Sequence, residues 1–257
     1  METGASLYEV KNQAAWITLN RPENRNALSA DLVNGLYHHL QKALADEQVR
    51  AIVITGTGPA FCAGADLKSP PGSSISGGGN AVPFADVLKL MLAAEKPVIA
   101  AVNGAAFGGG LGLVGAADIV LTSESAQFSF SEVRLGVIPA VISVVVLPKL
   151  GKHLATRLFM TGERFNGLAA VQYGLAHIAV PDSALSSAVE KEVEALAAGG
   201  PAAIKACKQL IREIPELATD AAFDRATAWS VEMFESEEGT EGMAAFRDKR
   251  KPSWTEQ

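Results

Sequence analysis

The 257-residue chain has few of the residues that build disulfide frameworks or metal centres. Its two cysteines, Cys62 and Cys207, cannot form such a framework and are typical of a reducing compartment. None of its four histidines stands at a metal-ligand spacing, so no metal site is predicted. Positive charge is also scarce, because 22 lysines and arginines stand against 28 aspartates and glutamates. The net charge of −6 argues against a broad surface for nucleic acids or acidic membranes.

The chain also lacks the segments that are typical of exported or membrane-spanning proteins. Its beginning, METGASLYEV, has neither the basic nor the apolar region of a signal peptide. The most apolar segment, 97–122, is rich in glycine and contains Asn103 and Asp118, so we interpret it as two short buried strands and a turn. A cytoplasmic protein without membrane contact is therefore predicted.

The periodicity of the apolar residues indicates an α/β fold in one large domain or a domain with an appendage. Strands are predicted over residues 7–10, 15–19, 51–55 and 98–102, and helices over 29–45, with Ser29 as N-cap, and 84–94. This alternation favours parallel strands joined by crossovers. From residue 152 onward the pattern is mainly helical, with a helix opened by Pro201 and further helices over about 215–234 and 239–249.

Two glycine-containing turns indicate a backbone-built anion site. The first is Gly108, Gly109 and Gly110 after the strand 98–102, where a helix that begins near Gly109 would present amides without carbonyl partners. The partial positive charge of a helix N-terminus favours an oxyanion there. The second turn is Ala63-Gly64-Ala65 in FCAGADL, after the strand 51–55. If the two turns are neighbours, one amide from each can bind the same carbonyl oxygen, as in an oxyanion hole.

Two other interpretations of these glycines remain at this stage. Three consecutive glycines can simply form a tight turn. In addition, Gly110, Gly112 and Gly115 spell G-x-G-x-x-G, with Glu132 near the distance expected of a ribose-binding acid. A dinucleotide site needs its glycines directly after the strand, whereas residues 103–109 intervene here and FCAGADL would have no role. The dinucleotide interpretation is therefore disfavoured.

Glu132 is the candidate acid–base residue. It stands between FSFS and VRLGVIPAVISVVVL, and apolar surroundings raise the pKa of a carboxyl group and suit it to proton transfer. Local sequence supports equally a structural ion pair between Glu132 and Arg134. The chain has no G-x-S-x-G turn, so a serine hydrolase is not indicated. The Pro-, Gly- and Ser-rich segment 69–83 is predicted to be mobile, either as an ordinary linker or as a lid or part of an acyl pocket.

Over nearly its whole length the chain resembles the crotonase (enoyl-CoA hydratase/isomerase) superfamily. The matching segments stand in the order NRPENRNALS, FCAGADL, AAVNGAAFGGGLGLVGAADIVL, FSFSEVRLGVIP, MTGERFNGLAAVQYGL and EGMAAFRDKRKP. The resemblance implies a crotonase-like β-β-α superhelix (the ClpP/crotonase fold) with a helical C-terminal region. It also implies a core domain over 1–195 with the CoA-thioester site, a helical trimerisation region over 196–257, and a homotrimer or hexamer.

The resemblance further implies an acyl-CoA substrate and the residues that handle it. The amides of Ala65 and Gly109 would form the oxyanion hole, and Glu132 would be the catalytic glutamate. The chain would need no cofactor, since coenzyme A is part of the substrate. The positions that match CoA- or substrate-binding segments are Arg25, Ala27, Leu28, Ala63, Ala65, Asp66, Leu67, Lys68, Gly109, Gly112, Phe246 and Lys249, the last two often reaching a neighbouring subunit.

One departure from the family pattern bears on the reaction. Family hydratases with two glutamates carry the second one just after the glycine triplet, where this sequence has Gly112. Residues 140–147 (AVISVVVL) also replace a segment that is usually rich in glycine, which predicts an altered acyl pocket. The resemblance therefore implies an enoyl-CoA hydratase-like lyase that uses one glutamate. The alternatives are an enoyl-CoA isomerase, which moves a proton with Glu132, and a non-catalytic acyl-CoA-binding protein.

Overall fold

A computed structural model describes residues 4–68 and 81–255. Most of the predicted mobile segment, 69–80, lies outside the described residues. Where described, the chain is mixed α/β, with two sheets followed by a helical C-terminal region. The strands are β1 (Ser6–Lys11), β2 (Ala14–Leu19), β3 (Ala51–Gly56), β4 (Ala60–Cys62), β5 (Val98–Val102), β6 (Ala105–Phe107), β7 (Ile119–Ser123), β8 (Gln127–Ser129), β9 (Phe165–Asn166) and β10 (Ile178–Val180).

The helices alternate with these strands and then continue alone to the end of the described chain. They are α1 (Ala30–Ala45), α2 (Phe84–Ala93), α3 (Gly109–Ala116), α4 (Ala140–Thr161, kinked at Gly151), α5 (Gly167–Gln172), α6 (Leu185–Ala198), α7 (Pro201–Glu213), α8 (Thr219–Glu235) and α9 (Glu237–Arg247). Short 3₁₀ helices cover Pro22–Asn24, Ser131–Leu135, Asp182–Ala184, Ile214–Glu216 and Ser253–Thr255. None of the helices in the described ranges is long and apolar enough to cross a bilayer.

The large sheet has the strand order β1-β2-β3-β5-β7-β10 and is parallel except for the β1–β2 hairpin. Strand β5 is buried along its whole length, because helices cover both faces of the sheet. Val98, Ala100 and Val102 belong to the main core with α1 and α2, whereas Ile99 and Ala101 pack in a second cluster. The buried stripe of α6 that fills this second cluster is Leu185, Val189 and Val193.

The small sheet determines where the functional residues lie. Its order is β4-β6-β8-β9, and β4, β6 and β8 run parallel to one another. Each of these three strands directly follows a strand of the large sheet in sequence. The repeating unit is therefore one strand of the large sheet, one strand of the small sheet and one helix. The predicted β-β-α arrangement is thus observed. The turn at Ala63–Ala65, however, follows β4 and not the strand 51–55, and the glycine triplet follows β6 and not the strand 98–102.

The C-terminal helices are joined to the core by a buried ion pair. Lys208 of α7 is 9% exposed and lies with its Nζ 2.6 Å from Asp118 Oδ2 and 3.2 Å from the carbonyl oxygen of Met91. Asp118 Oδ2 also accepts a hydrogen bond from the amide of Val98, at the start of β5. The predicted helix 215–234 begins at Thr219, because Pro215 lies in a 3₁₀ turn. Helix α6 continues to Ala198, so the proposed boundary after residue 195 lies inside a helix, and the division into two domains stays a prediction.

Candidate active site

Three parallel strands of the small sheet end at the same edge and are each followed by a candidate site residue. Ala65 lies three residues beyond β4, Gly109 two residues beyond β6, and Glu132 three residues beyond β8. The registers pair Cys62 with Ala106 and Phe107 with Ser129, so the strand ends are level. The carboxyl ends of adjacent parallel strands lie together. This places Ala65, Gly109 and Glu132 at one edge, although they span a segment of 68 residues.

The amide of Ala65 faces away from its supporting loop. Leu28 and Ala65 form an isolated parallel bridge in which the amide of Leu28 donates to Gly64 O (2.8 Å) and the amide of Asp66 donates to Leu28 O (3.4 Å). In such a bridge the N–H and C=O of the bridged residue point to the other side of the chain. The Ala65 amide has no acceptor in the described ranges, and Ala65 is exposed.

The second amide belongs to Gly109, the first residue of α3. Its N-cap, Gly108, has φ 48° and ψ −116°, a conformation that a glycine adopts readily and other residues do not. The amide of Gly109 is one of the unpartnered donors at a helix N-terminus, and it has no acceptor among the residues that the structure describes. The dipole of α3 adds partial positive charge at this point.

The two turns are in contact. A Cβ placed on Gly64 would lie 3.3 Å from the Gly109 nitrogen, and a Cβ placed on Gly109 would lie 3.7 Å from Gly64 Cα. The turn that carries the Ala65 amide therefore lies against the Gly109 amide, a proximity that an oxyanion hole requires. Glycine at position 64 permits this approach, because a Cβ there would also lie 2.8 Å from the carbonyl oxygen of Phe107.

Glu132 lies beside these turns. Its Oε2 is buried and has no hydrogen-bond partner in the described chain, and its Oε1 lies 3.2 Å from the position that a Cβ of Gly108 would take. Burial raises the pKa of the Glu132 carboxyl above its ordinary value, an effect that a hydrogen bond with its own backbone only partly opposes. The alternative ion pair with Arg134 is not formed, since Arg134 donates to Thr161 O at 3.4 Å.

The loop before α1 supports the Ala65 turn. Arg25 is exposed, has φ 49°, and accepts a hydrogen bond from the amide of Ala63 through its carbonyl oxygen (3.0 Å). Ala27 and Leu28 are buried, and Leu28 Cδ1 lies where a side chain on Gly109 would extend. Asp66 is also buried and accepts from Arg21 and Asn24, so its side chain joins the loop to the turn.

The remaining predicted binding residues are exposed and lie in two regions. Leu67 and Lys68 are exposed directly after Asp66, beside the turn that carries the Ala65 amide. Phe246, which is 88% exposed, and Lys249 lie in and after α9, a helix that packs on α7 and α8. The described contacts of the chain do not bring these two residues to the turns at Ala65 and Gly109, so their contact with substrate in a neighbouring subunit stays a prediction.

Gly112 faces apolar side chains rather than open space. A Cβ at this buried position would lie 2.7 Å from Ile142 Cγ2 and 3.2 Å from Phe84 Cε1. Phe84 also lies beside Gly109, 3.6 Å from its notional Cβ. The region that a side chain at position 112 would occupy is therefore filled by the first turns of α2 and α4.

Sequence reasoning missed the residues that complete the site from other segments. They are Arg21, Asn24, Phe84, Gly108 as the neighbour of the Glu132 carboxyl, and Ile142. The change of composition over 140–147 pointed to the segment of Ile142 but not to its contact with Gly112. No sequence pattern indicates that Phe84 lies at both Gly109 and Gly112, since 25 to 28 residues of chain separate them.

The chain is similar to known proteins over nearly its whole length. The sequence model of the enoyl-CoA hydratase/isomerase family matches residues 9–257. EchA19, an enoyl-CoA hydratase of Mycobacterium tuberculosis, is 34% identical over 255 residues, which cover 97% of this chain and 96% of that protein. Carnitinyl-CoA dehydratase of Proteus mirabilis is 33% identical over 93% of each chain. The structure of Pseudomonas aeruginosa AtuE superimposes with a TM-score of 0.89 at 36% identity, covering 98% of this chain and 99% of that one.

Proposed function

Because this chain belongs to the enoyl-CoA hydratase/isomerase family, whose members act on CoA thioesters, we propose that it adds water across the 2,3-double bond of a 2-enoyl-CoA. The observation that carries the proposal is that three groups meet at a single sheet edge. They are two amides without an acceptor in the described ranges and a buried carboxyl group whose Oε2 has no partner there. Hydration is preferred over other acid–base chemistry because two similar proteins are a hydratase and a dehydratase by name.

The oxyanion hole would polarise the substrate. With the thioester oxygen between the Ala65 and Gly109 amides, electron density leaves C3, which becomes electrophilic. The same two donors stabilise the enolate that forms when C3 is attacked. Preorganised backbone donors of this kind are worth on the order of 3 to 4 kcal/mol each in known enzymes.

Glu132 would move the proton. The oxygen of a water molecule forms a bond to C3 while the carboxylate accepts one of its protons, and the π-electron pair of the double bond moves into the enolate. Glu132 then gives the proton to C2, which restores both the thioester carbonyl and the carboxylate. One water molecule is added, and no oxidant, metal or resident cofactor enters the balance. A raised pKa suits a group that must both accept and return a proton near neutral pH.

One observation favours isomerisation as a second candidate. The space at Gly112 is filled by Ile142 and Phe84, so no second side chain there can help Glu132 to hold a water molecule. A single carboxylate is sufficient to remove a proton from C2 of a 3-enoyl-CoA and return it to C4. The oxyanion hole would stabilise the same type of enolate in both reactions.

The coenzyme A part of the substrate would contact residues beside the turns that carry the Ala65 and Gly109 amides. We propose Arg25, Ala27, Leu28, Ala63, and the run Ala65 to Lys68 for this role within one protomer. Phe246 and Lys249 would serve a neighbouring protomer of a homotrimer or hexamer, which their exposure permits. A cytoplasmic location accords with an acyl-CoA substrate and stays part of the proposal.

The absorbance of the 2-enoyl thioester separates the candidates. The protein is incubated with crotonyl-CoA and, separately, with 3-hexenoyl-CoA, and Glu132→Gln is the control. Hydration removes the absorbance of crotonyl-CoA, and isomerisation creates absorbance from 3-hexenoyl-CoA; both changes should be lost in the variant. Binding of acyl-CoA without either change would indicate a non-catalytic binding protein and contradict the proposed reaction.

A further inference from the structure

Asp66 directly follows the oxyanion-hole residue Ala65 and has a carboxylate fully engaged by the protein. Oδ2 accepts from Arg21 Nη1 (3.2 Å) and from Asn24 Nδ2 (3.0 Å), and Oδ1 accepts from the amide of Lys68 (3.1 Å). The residue is 8% exposed, although both its neighbours in sequence are exposed. This single side chain therefore fixes an otherwise exposed turn to the loop at residues 21–24.

The backbone holds this turn firmly on the N-terminal side of Ala65 and weakly on its C-terminal side. On the first side the amide of Leu28 donates to Gly64 O at 2.8 Å, and the amide of Ala63 donates to Arg25 O at 3.0 Å. The amide of Asp66 donates to Leu28 O over 3.4 Å, which is long for an N–H···O bond. Gly64, with φ 88°, has no side chain that could restrict the peptide, and Ala65 is exposed. The direction of the Ala65 N–H thus depends on what anchors residue 66 as well as on the hydrogen bond from Leu28 to Gly64 O. The carboxylate of Asp66 supplies three further hydrogen bonds within one residue of that amide.

The charge of Asp66 fits an anchoring role better than contact with substrate. Burial by itself would raise the pKa of the Asp66 carboxyl, but the hydrogen bonds from Lys68, Asn24 and Arg21 outweigh it and lower the pKa below the ordinary value. The group is therefore ionised and committed to donors of the protein. A carboxylate is also an unfavourable neighbour for the phosphates of coenzyme A, whereas its ion pair with Arg21 is internal to the two loops.

We propose that Asp66 is the positioning residue of the oxyanion hole, which holds the Ala65 amide on the thioester oxygen by tying the turn to Arg21 and Asn24. The inference rests on the proposed function, because it requires that a thioester oxygen binds at Ala65. It changes the role of Asp66 from a contact of coenzyme A to a support of the catalytic donor.

The test measures the polarisation of a bound chromophore. Hexadienoyl-CoA absorbs at longer wavelength when its carbonyl oxygen is hydrogen-bonded in an oxyanion hole. The size of this absorbance shift therefore reports how well the two amides are oriented toward that oxygen. In Asp66→Asn the side chain keeps its size but loses its charge, and one of its two acceptor oxygens becomes an NH₂ group that must face an N–H donor of the protein. We expect a smaller shift and kcat lower by roughly tenfold to a hundredfold, with KM changed less than threefold. Asp86→Asn, which alters an exposed pair with Lys89, should leave all three quantities unchanged.

A milder variant keeps the proposal testable if Asp66→Asn does not fold. Asn24→Ala removes one donor from Oδ2 and leaves the ion pair with Arg21, and it should reduce the shift and kcat by a smaller factor. A normal shift and kcat in a folded Asp66→Asn protein would overturn the positioning role, even if its melting temperature fell. A raised KM with unchanged kcat would overturn it in favour of coenzyme A contact. Absence of any shift in the unaltered protein would instead overturn the proposed function on which the inference rests.

Discussion

The carboxyl group of Glu132 occupies the space that the missing side chain of Gly108 leaves free. Its Oε1 lies 3.2 Å from the position of a Cβ on Gly108, and the next residue, Gly109, provides one of the two amides proposed for the oxyanion hole. The glycine before α3 therefore does two things: it permits the turn that exposes the amide, and it makes room for the acid. Any side chain at position 108 should disturb the proton transfer as well as the backbone.

Gly108→Ala tests this relationship. The new Cβ would press against the Glu132 carboxyl, and φ 48° would be strained, at a cost of about 1–3 kcal/mol in stability. We expect turnover to fall roughly tenfold to a hundredfold, since general acid–base catalysis depends on position. Gly151→Ala is the matched control, because Gly151 also has positive φ (68°) but a Cβ there would meet no atom within 4 Å. Equal losses of turnover in both variants would show that backbone strain alone is responsible.

The effect of losing the Gly109 amide can be separated from the effect of filling the space around Gly109. Any side chain at position 109 places a Cβ 2.5 Å from Leu28 Cδ1, so Gly109→Ala and Gly109→Pro share this clash. Only proline removes the N–H, at the first position of a helix, where its ring is tolerated. We expect turnover of the proline variant to be a hundredfold or more below that of the alanine variant. Similar rates in steady-state assays of the two variants would remove this amide from the oxyanion hole.

Glu132→Gln should abolish turnover and raise stability at neutral pH. Because burial raises the pKa of Glu132, its favourable contribution is present below the ordinary value of 4.5 and is lost as pH rises through the folded-state pKa. Glutamine avoids the ionised form, so the variant should be more stable at pH 8 by on the order of 1 kcal/mol or less, the group being partly solvated. Urea unfolding should show a difference that grows as pH rises from 4.5 to the folded-state pKa and stays constant above it. Glu194→Gln, at an exposed position of α6, removes a carboxylate of the same type and is the matched control.

Lys208→Met tests the connection between the C-terminal helices and the core. The change would leave Asp118 and the Met91 carbonyl without their buried partner, so we expect a loss of about 3 kcal/mol of stability. Lys205→Met on the same helix breaks only an exposed pair with Glu95 and should cost less than about 1 kcal/mol. Chemical unfolding of the two variants measures both values. A Lys208→Met protein as stable as Lys205→Met would show that the pair is dispensable.

The chemistry of the site could be predicted from sequence because it is local. Free amides follow from glycines at a helix start, and a raised carboxyl pKa follows from apolar neighbours of Glu132. The strands that bring these groups together could not be predicted, because β4, β6 and β8 have only three residues each and show no periodicity. Their parallel pairing is long-range, and so is the contact of Ile142 with Gly112. For the same reason, the resemblance to a family predicted the fold better than the pattern of the residues did.

The pair Gly112 and Ile142 decides whether a second carboxylate can enter the site. In Gly112→Glu the side chain must displace Ile142 and bury a charge against Phe84, so we expect a loss of about 3 kcal/mol of stability or more. Ile142→Ala alone should cost about 2–5 kcal/mol by leaving a cavity. In the double variant each change relieves the other, so the total loss should be smaller than the sum by about 1–3 kcal/mol. A second carboxylate should also help to bind the water molecule. If water binding limits hydration, the ratio of crotonyl-CoA hydration to isomerisation should be higher in the double variant than in Ile142→Ala. Additive losses of stability would show that Ile142 moves away at no cost. The packing at Gly112 would then not be the reason that this site has a single carboxylate.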